Sequence, residues 1–211
     1  MTTETAPANA GAVRIMLAAA ALLLAASLFL PLWATEMESP QYHGEDEIVV
    51  QVYPGRVAGS LQEVQTLNQY IGVHLPLDAP ELRALPWALG LFCALALGAI
   101  FLPWGLLKKA MVANLALMVI GGIAGAAMLQ YRLYQLGHER THSIMRGVPN
   151  FTPPVLGSMH LANFHIETGL EIGGWFFALA VALTGLAIYL SRCEAIRLPS
   201  LSLLHRAPVT R

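Results

Sequence analysis

Residues 15–34 read IMLAAAALLLAASLFLPLWA, a run of 20 residues without a single Lys, Arg, Asp or Glu. The hydrocarbon core of a bilayer is about 30 Å thick, which roughly 20 apolar helical residues span. Three further stretches, 85–107, 110–131 and 172–191, meet the same standard and are equally free of formal charge. The rest of the chain agrees with them. Of its 211 residues, 56% are hydrophobic and 12% charged, and the mean hydropathy is +0.57, whereas soluble domains carry about 25% charged residues. Too few polar side chains remain to coat a water-soluble globule, and too many apolar ones are present for a disordered chain. A net charge of −1 without a basic cluster excludes a nucleic-acid partner. These features predict a membrane protein of four transmembrane helices.

The charges between the spans predict its orientation. Arg14, Lys108, Lys109, Arg192, Arg197, Arg206 and Arg211 fall on one side, against Glu4 and Glu194 alone. The longer connections, 35–84 and 132–171, carry five arginines against eleven acids. Short segments rich in Lys and Arg stay in the cytoplasm, so residues 1–14 and 192–211 are expected inside and the two long loops outside. All four tryptophans, Trp33, Trp87, Trp104 and Trp175, lie within a few residues of a span end, where an amphipathic ring favours the headgroup layer. The first span is longer than a signal-peptide core, and Ala34-Thr35-Glu36 is a poor cleavage site, which predicts an uncleaved anchor. A fifth span within 132–171 would bury Arg132, Glu139, Arg140, Arg146, Glu167 and Glu171 at a cost on the order of 15 kcal/mol. That segment therefore stays outside. Cys93 lies within the second span and Cys193 at the cytoplasmic end of the fourth, so no disulfide is expected in the external loops. The same count excludes thiol-oxidising quinone chemistry, which needs external cysteine pairs.

The first external loop carries local signals of its own. Glu47–Tyr53 (EIVVQVY) is rich in β-branched residues, Pro54-Gly55 is a turn signal, and Val57-Ala58 offers a return strand. Ser60-Leu61-Gln62-Glu63 has the spacing of a capping box, and the helix it opens is expected to run to Tyr70-Ile71 and stop at Gly72. The expected fold class is therefore an all-α membrane protein with a small hairpin-plus-helix external cap.

Six of the seven histidines, His43, His74, His138, His142, His160 and His165, fall on the external side, and only His205 is inside. Histidine titrates near neutrality and is the commonest metal ligand. His138 and His142 are four apart and share a face if the third helix runs on past the membrane, together with Tyr131, Tyr134 and Gln135. A helix from His160 onward would align His160, Asn163, Glu167 and Glu171, with His165 to one side. His138, His142, His160 and His165 are thus the candidate metal ligands. Met37, Met145 and Met159 are external too, and their soft sulfur suits Cu(I), although single methionines more often serve packing.

No phosphate-binding loop, nucleophile elbow, HExxH or CxxC occurs. With no such motif an enzyme is not expected, and the spans hold no Lys, Arg, Asp or Glu to mark an ion or proton pathway, so neither a pump nor a secondary transporter is expected. Gly121, Gly122 and Gly125 form a small-residue stripe suited to close helix packing. A haem b would need facing histidines in the bundle, and no histidine lies within a span. Haem or quinol binding would have to use the outer boundary.

Several strings occur in a telling order: Pro31-Leu32-Trp33, Met37-Glu38-Ser39-Pro40-Gln41-Tyr42, Leu67-Asn68-Gln69-Tyr70-Ile71-Gly72, Phe151-Thr152-Pro153-Pro154, and Asn163-Phe164 followed by Gly173-Gly174. In this order, over residues 31–175, the chain resembles the NosB-like small polytopic membrane proteins encoded beside nitrous-oxide reductase and its copper-maturation genes. The resemblance implies an accessory role, in metal supply or electron delivery, for a periplasmic copper enzyme. It transfers no catalytic residue. In the family's third string a His and a Met stand where this chain has Gln69 and Val73, which favours a structural role for Asn68 and Tyr70 as buried polar anchors. Pro40, Pro153 and Pro154 pre-set extended backbone, fit to rigidify a loop or lie over helix ends.

The expected function is an accessory subunit or assembly factor of a bacterial inner membrane, with both termini cytoplasmic. Its partners are the lipid bilayer and a protein met at the periplasmic face or within the membrane. Copper is the candidate cofactor, ahead of haem b. A haem- or quinol-binding redox subunit and a purely structural subunit are the alternatives.

Overall fold

The computed structural model describes residues 9–38, 48–71, 79–138, 150–161 and 164–197, without the side chains of 67–71, 161, 164 and 193–197. Four of its helices are long and apolar enough to cross a membrane: α1 (Ala10–Ser27), α3 (Pro80–Ile100), α4 (Trp104–His138) and α5 (Ile172–Arg197). A shorter helix, α2, covers Leu61–Ile71. The all-α expectation is corrected by five strands: β1 (Trp33–Glu38), β2 (Ile48–Tyr53), β3 (Arg56–Gly59), β4 (Gly157–Leu161) and β5 (Phe164–Leu170). They form one antiparallel sheet in the order β3-β2-β1-β5-β4.

The hub of the bundle is α1. Val13, Leu17, Ala20, Ala21, Leu24 and Ser27 recur at helical spacing and are all buried, because α1 packs against both α3 and α5. By contrast, α4 is peripheral. Its apolar window is 11% buried, against 33% for α1, and Val112, Leu117, Val119, Ile120 and Ile123 face outward. Exposure on that scale is unaffordable in water and normal in lipid.

Helix ends fall where backbone chemistry demands. The helix α1 stops at Ser27, not at residue 34, and Trp33 and Ala34 belong to β1. The break between α3 and α4 lies at Phe101–Pro103, so Lys108 and Lys109, expected in the break, sit in the first turns of α4. That helix continues to His138, well beyond residue 131. Trp87 and Trp175 are exposed as belt residues should be, but Trp33 and Trp104 are buried.

The sheet grows out of the bundle. A five-residue turn joins α1 to β1 and a single residue joins β5 to α5, so the helix pair α1–α5 is prolonged by the strand pair β1–β5, from Trp33↔Leu170 to Glu38↔His165. Gly173 and Gly174 make this junction. A Cβ on Gly173 would meet the Pro31 and Leu30 carbonyl oxygens, and one on Gly174 would collide with that of Leu32. Gly173 N–H instead donates to Pro31 O at 2.9 Å, and Ser27 Oγ donates to Gly173 O at 3.0 Å.

At the other edge β2 and β3 turn at Pro54-Gly55, with Gly55 at φ +86°. Ser60 does more than open α2: its N–H donates to Val49 O and its Oγ accepts from Val49 N–H, extending the β2–β3 pairing. The helix α2 then packs Val64 and Leu61 onto Ile48, Val50, Met37 and Val57. This defines a covered face of the sheet and, since side chains alternate, an open one.

The segment 150–156 closes the covered side. Trp33 Nε1–H donates to Val155 O at 2.6 Å, Thr168 Oγ1 to Pro154 O at 2.9 Å, and Gln130 Nε2 to Pro153 O at 3.3 Å. Pro153, Pro154 and Val155 therefore present their carbonyls to α4, β5 and β1 in turn, as a strap. The outward end of α4 is tied as well. Arg132 pairs with Glu81, in the first turn of α3, at 2.6 Å.

Candidate functional site

The second histidine cluster is strand, not helix, and this rearranges its members. Leu161 pairs with Phe164 and His160 with His165 across β4 and β5. The expected helical face of His160, Asn163, Glu167 and Glu171 does not form, and Asn163 lies outside the described residues. His165, set aside by helical spacing, becomes the centre. Its ring lies 4.4 Å from that of His160, with the two Nδ1 atoms 3.3 Å apart. Its Nε2 lies 3.0 Å from Glu167 Oε1.

Tautomers follow from these contacts. A carboxylate only accepts, so His165 Nε2 carries the proton facing Glu167. In a neutral ring His165 Nδ1 is then an acceptor, and His160 Nδ1–H is its donor. His160 Nε2 is left with its lone pair, on an exposed residue. The arrangement is a carboxylate–imidazole–imidazole chain, with Glu167 and His160 on opposite sides of the His165 ring. A carboxylate behind an imidazole fixes its orientation and tautomer, as in metal sites.

The setting is acidic. Alternation puts Glu38, opposite His165, and Glu36, opposite Glu167, on the same open face. Like charges directly across a ladder oppose each other, so this face gains from a nearby cation. Beside the pair runs a groove of about 370 Å³, lined among others by Glu36, Ser158, Glu167, Gly169 and Glu171.

The other candidates lie apart from this pair. His138 ends α4, with Nδ1 3.0 Å from Tyr134 O and its ring stacked on Tyr134 at 4.0 Å. His142 lies outside the described residues, as do His43, His74, His205 and Met145 and the side chains of Asn68 and Tyr70. Met37 packs in the core under α2, and Met159, paired with the buried Ile166, shares the covered face. Neither sulfur reaches the histidines' face. Among the described residues no three His, Cys, Asp or Glu side chains converge to hold a metal. What the described residues bring together is two imidazoles.

Those two fit a soft or borderline metal. Zn–N bonds of about 2.0–2.1 Å in a tetrahedron put adjacent nitrogens roughly 3.3 Å apart, the separation of the two Nδ1 atoms. Transfer of the His160 proton from Nδ1 to Nε2 would leave both Nδ1 lone pairs available as ligands.

One buried group escaped the sequence reading. Asn114, between Met111 and Met118 on α4, is 1% exposed, and among the described residues nothing bonds either amide atom. Its signal was available: a lone Asn in an apolar span is costly unless satisfied. No family model matches the sequence, and no curated protein does either.

Proposed function

We propose that the chain is an accessory subunit or assembly factor of a bacterial inner membrane that presents the open face of its sheet, on the periplasmic side, to a copper metalloenzyme or to its maturation partners. The observation that carries this reading is the His160–His165 pair, oriented by Glu167 and flanked by Glu36 and Glu38. Imidazole nitrogens suit copper, and the acidic surround attracts a cation or a basic partner surface. Two ligands alone hold a metal loosely and leave positions for a partner's ligands, which fits hand-over better than storage. His138 is a second, separate point of contact through its remaining nitrogen. The positive-inside distribution of Lys and Arg supports the orientation. The His160–His165 rings touch directly, which gives a haem less support than a metal ion.

The test is a competitive Cu(I) titration of the purified full-length protein in detergent. One equivalent is expected to bind, with at least about tenfold weaker affinity in His160→Ala and in His165→Ala and unchanged affinity in His138→Ala. Wild-type copper binding in both strand variants would remove the metal from this reading. A Soret band in the purified protein would favour the haem alternative instead.

A further inference from the structure

At the end of the bundle remote from the sheet, Leu107 and Met111 of α4 and Ala187 of α5 share one buried cluster with α1, and a surface groove opens beside it. Nearer the sheet α4 and α5 touch, where a Cβ on Gly122 would press on the Phe177 ring at 3.2 Å. Toward Lys108 they leave a groove of about 500 Å³ between them. Its floor is apolar: Val112, Ala113 and Ala116 on α4 and Ile188 on α5. Ala113 and Ala116 are too short to fill the gap, which is why it is a groove and not a packed interface. Its rim is cationic. Lys108 and Lys109 rise from α4 and Arg192 from α5, one turn beyond Ile188, and among the described residues no carboxylate lines it. The Lys108 ammonium lies 5.3 Å from the Trp104 ring centre, while Lys109 and Arg192 are exposed.

We infer that this groove binds one anionic phospholipid, its phosphate between Lys109 and Arg192 and one acyl chain along Val112, Ala113, Ala116 and Ile188. A slot with an apolar floor, opening from a membrane-spanning helix pair, is filled by hydrocarbon and not by water. Two exposed cations, Lys109 and Arg192, on a rim where no carboxylate stands among the described residues, select a headgroup with net negative charge over a zwitterionic one. Long basic side chains at a helix end reach to the interface where that phosphate sits. The inference is independent of the metal reading, since it uses neither the sheet nor its histidines.

Native mass spectrometry tests it, on the purified full-length protein exchanged into detergent with equal amounts of phosphatidylglycerol and phosphatidylcholine. One phosphatidylglycerol is expected to be retained, with at least about tenfold preference. The preference falls to parity in Lys109→Gln/Arg192→Gln. It is also lost in Ala116→Trp, which keeps the charges and fills the floor, and it persists in Arg14→Gln, which removes a cation from α1 outside the groove. Equal retention of the two lipids by the wild-type protein would overturn the site. So would a preference that survives both groove variants, or displacement of the lipid by inorganic phosphate alone.

Discussion

Glu167 decides what His165 can do. Two residues along one strand share a face, so its carboxylate reaches the imidazole without any loop to position it. Glu167→Gln keeps the shape and a hydrogen-bond acceptor but loses the charge that holds the proton on Nε2. The expected result is a 10- to 100-fold loss of Cu(I) affinity at unchanged stoichiometry, read by the same competition titration. Glu63→Gln, on the exposed side of α2, should leave it unaltered. Residue type and sidedness alone made His160 and His165 candidates, but their partnership was not legible. Helical spacing put His160 with Glu167 and excluded His165, and a change from a period of 3.6 to one of 2 reverses that grouping. Asn114 was legible in principle and was passed over because it carries no charge.

Among the elements, long apolar runs and the Pro54-Gly55 turn announced themselves, because each is written in contiguous residues. Strand β5 was written too: His165-Ile166-Glu167-Thr168 alternates polar with buried across the sheet. Strand β1 was not, since Trp33 and Ala34 close an apolar run and read as the end of a span. The extension of α4 past residue 131 rests on tertiary contacts that a local pattern lacks. Gly137 is the chief of them: a Cβ there would collide with the Phe151 carbonyl, at the start of the strap whose Pro153 carbonyl Gln130 holds. Gly137→Ala should therefore lower the stability measured by thermal unfolding in detergent by about 1–3 kcal/mol. Gly125→Ala, with open space around it, should be neutral or raise stability by up to about 1 kcal/mol through helix propensity. A Gly137→Ala protein as stable as wild type would mean that the strap does not rest on α4.

For the whole molecule, the antiparallel α1–α5 pair places β1 beside β5 although more than a hundred residues separate them. Such pairing is invisible to any local reading, and it turns the predicted hairpin-plus-helix cap into one sheet anchored on two spans. The same geometry puts the sheet at one end of the helix bundle and Lys109 at the other, so the proposed orientation sends them to opposite sides of the membrane. Single cysteines, Ser158→Cys on β4 and Lys109→Cys on α4, introduced with Cys93 and Cys193 replaced by Ala, report this directly. In spheroplasts a membrane-impermeant maleimide should label Ser158→Cys at once and Lys109→Cys only after lysis. Labelling of Lys109→Cys in intact spheroplasts, with Ser158→Cys protected, would place the histidine face in the cytoplasm and contradict the role proposed for it toward a periplasmic partner.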